Sequence, residues 1–266
     1  VLFPWATMAG LLVAVCLLAT LPRGEQTRGG LARWGIQLGL GLLALSLALF
    51  SEAITRGWVL SQGHLLLGYA PWKTTPAATA TFSNPLLTDA VLQGYPWLAY
   101  TCRAFGEGRV PLWVSQSYAG APFAAPAMTA VFSPFTWAAC LVPLPWATVA
   151  LAVSKMVSCG LGTAALARAL GANRTASTVV AIGGTLNPFL LVWLENASDS
   201  VAAVAPWVFA FTVRACERPG GRSLALLASA MGAMFVAGQP QTAFAVALCA
   251  GVLGVGLAVG RPAGGR

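Results

Sequence analysis

Long apolar runs, separated by short connectors that hold most of the charge, limit this chain's fold more than any other feature. About 20 helical residues at ~1.5 Å each cross a hydrocarbon core of ~30 Å. Runs at 1–21, 34–54, 146–170, 176–194, 201–215, 223–237 and 241–259 meet or approach that length. With 58% hydrophobic and 8% charged residues, against roughly 25% charged in an average soluble domain, the chain has too few charges to solvate a globular surface. The expected class is an all-α polytopic membrane protein of about seven transmembrane helices, forming a single transmembrane domain over 1–266.

Charge sets the expected orientation. The net charge of +8 comes from thirteen arginines and two lysines, most of them in short connectors. Basic connectors stay on the cytoplasmic side. That rule puts Arg23, Arg28 and Arg33, then Arg168 and Arg174, then Arg214 to Arg222, and finally Arg261 and Arg266 inside. The turns at 195–199 and 239–241 and the long segment 56–126 fall outside. The same distribution gives the basic residues an orienting role and argues against nucleic acid as a partner. The excess of arginine over lysine is a weak compositional pointer to a GC-rich bacterial genome. The expected location is the bacterial cytoplasmic (inner) membrane, with multiple passes. Residues 128–145, interrupted by Pro134, Pro143 and Pro145, suit a re-entrant or interfacial segment better than a crossing. A chain that begins with Val1 and ends in a glycine-rich basic tail is expected to be the N-terminal part of a longer protein.

Segment 56–126 is too long for a simple connector and carries Trp58, Trp72, Trp97 and Trp113, a residue type favoured at the membrane-water interface. Within it Val91, Leu92, Tyr95, Leu98, Ala99, Cys102 and Phe105 recur at helical spacing, which predicts a helix lying on the membrane and broken near Pro96. Asp89 is the one acidic residue of its stretch. Flanked by Leu86-Leu87 and Val91-Leu92, it has the setting of a partly desolvated general base. The same position suits an N-cap for the helix after it. Both readings stay open.

Other candidates are substrate contacts. Lys73 and Arg103 are external cations that could neutralise a phosphate, or could simply snorkel to lipid headgroups. Tyr95, Trp97 and Trp113, with Trp72 and Tyr118, could stack on a sugar ring, although an aromatic belt explains such residues without a ligand. Glu195 and Asp199 lie four apart and could meet a metal or a sugar hydroxyl, or could mark a solvated turn. Two carboxylates make a poor metal site without a third ligand. Lys155 and Arg214 are the cations nearest the interior of a span, and no acidic residue stands at helical spacing from Lys155.

The single histidine, His64, reads as interfacial packing. It leaves no histidine-rich zinc site and no metal ligand is assigned. The six cysteines show no paired spacing and read as small apolar packing residues, as do Gly35 and Gly39. Neither G-x-x-x-x-G-K-[ST] nor G-x-G-x-x-G occurs, so ATP-driven chemistry is not indicated.

Four stretches together resemble the bacterial YfhO-type membrane proteins of the GT-C superfamily of polyprenyl-phosphate-dependent glycosyltransferases. They are GYAPWK (68–73), NPLLTDAVLQGYPW (84–97), GRVPLW (108–113) with YAGAP (118–122) after it, and GQPQT (238–242). The resemblance implies a GT-C-like membrane enzyme whose first external loop carries interfacial helices and an essential aspartate, here Asp89. It implies transfer of a sugar from a polyprenyl-phosphate donor to a cell-envelope glycan or glycolipid, with membrane lipids around it. Gln93, Gln239 and Gln241 join the substrate contacts on this basis, Gln239 standing where the family often has histidine. A divalent cation such as Mg²⁺ is the cofactor left open. The alternative function is a non-enzymatic transporter or flippase of lipid-linked precursors, and a third is a structural subunit of a membrane complex.

Overall fold

The computed structural model describes residues 28–74, 84–117 and 119–260. The expected first span, 1–21, and Tyr118 lie outside the described residues. Those described form an all-α polytopic membrane protein: five helical segments are long and apolar enough to cross a membrane.

Helix α1 (Arg28–Leu49) runs directly into a short α2 (Ser51–Arg56), so the expected span 34–54 starts earlier and breaks at Phe50. Gly57, with φ of 66°, ends α2 in a left-handed cap. After the polar segment come a short α4 (Pro134–Ala139) and then the 26-residue α5 (Leu144–Ala169). Helix α6 (Arg174–Thr185) and α7 (Pro188–Val192) together make the next crossing. They are separated because Pro188 cannot continue the hydrogen-bond ladder of α6. Asn187 caps the new start by accepting from Phe189 N at 2.9 Å. Helix α8 (Ala197–Glu217) and α10 (Pro240–Val259) are full crossings. Helix α9 (Gly221–Phe235) has 15 residues, about 22 Å of helix, and by length does not cross unaided.

Helix α5 is the axis of the bundle: α8, α6, α1 and α4 all pack on it, while α9 and α10 pack on α8. Contact between α5 and α8 is polar as well as apolar. Trp207 Nε1 donates to Ser158 O at 2.9 Å, and Ser158 Oγ donates to Ala203 O at 3.0 Å. Around these bonds Met156, Cys159, Val201, Val204 and Val208 form the main buried cluster. Trp34 of α1 donates to Thr178 Oγ1 of α6 at 3.2 Å beside a second cluster of Leu38, Leu42 and Ala181. Of the glycine pair on α1, Gly39 faces Leu161 while Gly35 faces open space, so the spacing mediates one helix contact rather than two.

The described residues between α2 and α4 sit at one end of this bundle. Their central element is one continuous helical run: a turn at Pro85–Leu87, a π turn at Ala90–Gly94, and α3 (Tyr95–Gly106). Pro96 lies in the first turn of α3, where a missing N–H is harmless, so the expected break near Pro96 is instead the π turn before it. Residues 113–114 (β1) and 121–122 (β2) form a minimal antiparallel hairpin. Tyr100 of α3 ties the hairpin down, donating to Trp113 O at 2.8 Å and meeting Phe123 edge to face. GYAPWK folds as a turn with a cis Ala70–Pro71 bond. Stretch 128–145 contains only short turns and α4 before α5 begins.

A disulfide between Cys102 and Cys140 joins α3 to the end of α4. This corrects the reading of these two cysteines as packing residues. Their separation of 38 residues has no local signature, and only the folding of α3 against α4 brings the thiols together.

Candidate functional site

Asn84, not Asp89, starts the helical run, its Oδ1 accepting from Leu86 N at 3.1 Å. Asp89 is therefore already inside the helix. Its φ and ψ of −62° and −29° are helical and its carboxylate makes no capping bond. The N-cap reading of Asp89 is corrected on this geometry. Freed from capping, the exposed carboxylate accepts from Gln93 Nε2 at 3.4 Å, one turn on.

The π turn places Asp89, Ala90, Gln93, Gly94 and Trp97 along one wall of a small pocket of about 60 Å³. The opposite wall is Glu195, Asn196 and Ala197, the connection from α7 to α8. Met128, Thr129 and Ala130 close one side, and Thr136 of α4 with Leu151 and Lys155 of α5 form the floor. Five elements far apart in sequence thus converge on a space the size of a few water molecules.

Two glycines let those walls approach. A Cβ on Gly94 would lie 3.3 Å from the Glu195 carbonyl oxygen. At Gly238, φ is 137° and a Cβ would lie 3.0 Å from Ala197 Cβ and 3.3 Å from Ala130 Cβ, so the GQPQT stretch backs the pocket from behind. Gln239 itself is occupied locally, its Oε1 accepting from Thr242 Oγ1 at 2.9 Å, and Gln241 is exposed on the first turn of α10.

The Glu195 carboxylate is half-buried and accepts from Gln62 N at 3.4 Å. Burial pushes its pKa up to about 7, outweighing the lowering by the Gln62 N–H and by the Lys155 charge. Near neutral pH it therefore exchanges a proton readily. That state is the one a group needs either to give or to accept a hydrogen bond from a hydroxyl.

Asp199 is not in a solvated turn. Helix α8 begins at Ala197, earlier than expected, and Asp199 lies in its first turn, 0% exposed, against Lys155, 1% exposed, at 3.3 Å. The partner that Lys155 lacks along its own helix comes from the neighbouring one. Lys155 Nζ also donates to Leu194 O at 3.0 Å and to Asn196 O at 3.2 Å. Two of its N–H groups are thus taken by carbonyls, and the Asp199 carboxylate, whose oxygens have no hydrogen-bond partner among the described residues, lies against it as an ion pair.

Several candidates stand apart from the pocket. Lys73 is exposed on a short turn, and Arg103 is exposed in the last turn of α3, where a cation complements the helix dipole. Neither lines the pocket, nor do Tyr95 and Trp113. Trp113 instead lies over Gly120, whose Cβ would sit 2.9 Å from its ring. His64 is exposed outside the site. Among the described residues no three or more histidine, cysteine or carboxylate side chains form a metal-binding group. Asp89 and Glu195 alone are a sparse donor set for a divalent cation.

Beside the pocket, on the flank of the bundle, an apolar groove of about 1200 Å³ runs between α1, α5, α8 and α9. Ile36, Leu40, Leu43 and Leu47 form one side, Trp146, Val153 and Trp207 the other, and Pro134 and Phe135 close the end next to Thr136 of the pocket. No protein-family model matches the chain, and no curated protein or solved structure matches it either.

Proposed function

We propose that this protein is a membrane glycosyltransferase of the GT-C type, moving a sugar from a polyprenyl-phosphate donor to a hydroxyl of a cell-envelope glycan or glycolipid. The observation that carries the reading is the meeting of Asp89 and Glu195, from elements more than a hundred residues apart, across one pocket that also contains Trp97. In this scheme the acceptor oxygen attacks the anomeric carbon while its proton passes to Asp89. The bond from that carbon to the phosphate oxygen breaks, and the phosphate leaves on the lipid. Glu195, its pKa pushed up by burial, hydrogen-bonds the sugar, and Trp97 stacks on its ring. Gln93 holds the Asp89 carboxylate. The neighbouring groove offers a long isoprenoid chain an apolar path from the bilayer to the pocket.

The pocket end is assigned to the extracytoplasmic side of the bacterial inner membrane. A disulfide at that end suits an oxidising compartment, and the basic connectors Arg168 to Arg174 and Arg214 to Arg222 lie at the opposite ends of α5 and α8. Lys73 and Arg103 stand off the pocket, and the scheme gives them no part at the reacting phosphate.

One observation favours the transporter reading. Ionisable groups within spans often mark transport paths, and Lys155 does pair with Asp199. The same experiment separates the two functions. Purified protein in lipid vesicles is given radiolabelled polyprenyl-phosphate sugars, with and without Mg²⁺, and sugar release is measured beside passage of intact donor across the bilayer. Release that Asp89→Ala abolishes supports the transferase. Passage without release assigns the transporter, and neither activity with any donor rejects both.

A further inference from the structure

Glu195 has no neighbour in its own turn that fixes it in the pocket. Its carboxylate touches Gln62 N at 3.4 Å, a long contact. The turn itself, however, is gripped from below. Lys155 Nζ reaches up from α5 and donates to the carbonyls on either side of Glu195, Leu194 O and Asn196 O, at 3.0 and 3.2 Å. Asp199, one helical turn further on, supplies the countercharge at 3.3 Å.

We propose that Lys155 is a positioning residue, its ammonium clamping the Leu194–Asn196 turn so that Glu195 stays in the pocket wall, with Asp199 holding the ammonium in place. This rests on the pocket being the working site.

The geometry favours a clamp over a ligand-binding lysine. A substrate-binding ammonium needs an accessible N–H, and this one donates to two carbonyls, lies against the Asp199 carboxylate at 3.3 Å and has almost no exposed surface. A carbonyl pair alone would not keep a charged amine out of water, but a buried carboxylate beside it does. Two further features show that the turn is held locally. Asn196 accepts from Ser198 N at 3.1 Å, capping α8 immediately after the clamp, and the Gly94 backbone presses on Glu195 O from the other wall. The charged side chains around Glu195 are Lys155 below it and Asp89 across the pocket, with Asp199 behind Lys155.

The test reads the turn directly and needs no substrate. A spin label is placed at residue 195 through Glu195→Cys, or on the side of the pocket through Met128→Cys, after replacing the free cysteines. Each label is then measured with Lys155 and Asp199 intact, with Lys155→Met, and with Lys155→Met plus Asp199→Asn. The double substitution removes both charges at similar volume and guards against simple unfolding. The expected result is a label at 195 that is immobile in the parent and several-fold more mobile in the double variant, while the Met128 label keeps its spectrum. Lys155→Arg, which retains donors and charge, is expected to restore much of the order. An unchanged spectrum at 195 overturns the clamp, and so does equal loosening at both positions. If no donor is turned over while the label at 195 behaves as described, the transferase reading fails and the clamp stands.

Discussion

Gly94 presses its backbone against Glu195: a Cβ at Gly94 would lie 3.3 Å from the Glu195 carbonyl oxygen. Substitutions there meet two opposing effects. Alanine gains about 0.5–1 kcal/mol of helix propensity over glycine, while its methyl requires the Glu195 turn to move by a few tenths of an ångström. The two nearly cancel, so Gly94→Ala is expected to melt within a few degrees of the parent. Gly94→Val adds two methyls where one barely fits and forfeits helix propensity. It is expected to cost about 1–3 kcal/mol and to lower Tm clearly in detergent. Equal melting of the valine and alanine variants would mean that the two walls do not meet as described.

Asp89 makes no capping bond, and among the described residues its one side-chain hydrogen-bond partner is Gln93. Removing its charge should therefore leave the fold alone, since exposed substitutions usually stay within about 0.5 kcal/mol. If Asp89 is the base, Asp89→Asn is expected to slow transfer by roughly 10²–10⁴-fold at unchanged Tm. Initial rates of sugar transfer at matched folded protein would check this, and a parental rate would remove Asp89 from the mechanism.

The Cys102–Cys140 bridge pins the helix after the π turn to the helix that supplies Thr136. Closing a loop of 38 residues corresponds to at most about 4 kcal/mol in the chain-entropy model. Cys102→Ser and Cys140→Ser are each expected to lower Tm by several degrees and the double variant by no more than either, because both remove the same bond. Labelling by a maleimide only after reduction would establish the bridge. Labelling of the untreated protein at both positions would disprove it.

Much of the fold was readable because membrane spanning imposes a length and a composition that segments such as 144–169 and 240–259 meet without any knowledge of partners. Helix starts were not: in the Asn-Pro pairs at 84–85 and 187–188 each asparagine caps the helical turn after it, and the pattern of apolar runs does not single these pairs out. The residues that pattern alone misplaced depend on contacts across the chain. Asp89 looks like a cap until Asn84 is seen to fill that role. Lys155 looks unpaired because its carboxylate is on another helix, 44 positions along in the sequence. Asp199 looks solvated because four of its neighbours in ENASDS are polar, although the first turn of α8 is drawn under the pocket. The disulfide likewise joins residues whose proximity exists only after α3 and α4 pack. Of the candidate site, Asp89, Gln93, Trp97 and Glu195 do line one pocket. The floor residue Lys155 was visible only as an oddity, a lysine inside a span, and an intramembrane charge is itself a reason to look for a partner.

Glu195 gives the site a pH signature with a definite sign. Burial raises its pKa in the folded protein to about 7 from an ordinary value of 4.5. Between those values the folded state holds a proton that the unfolded state has released. By linkage, stability then falls as pH rises through this window, levelling off above about 7. With the side chain partly open to solvent, the effect is on the order of 2 kcal/mol. Comparing melts at pH 5 and pH 8 should show Glu195→Gln, which mimics the protonated form, gaining on the parent at pH 8 and matching it at pH 5. The comparison between the two proteins cancels the titration of every other group. A parent that gains on Glu195→Gln as pH rises would mean that the carboxylate is stabilised in its charged form, and that the Lys155 charge rather than burial governs the site.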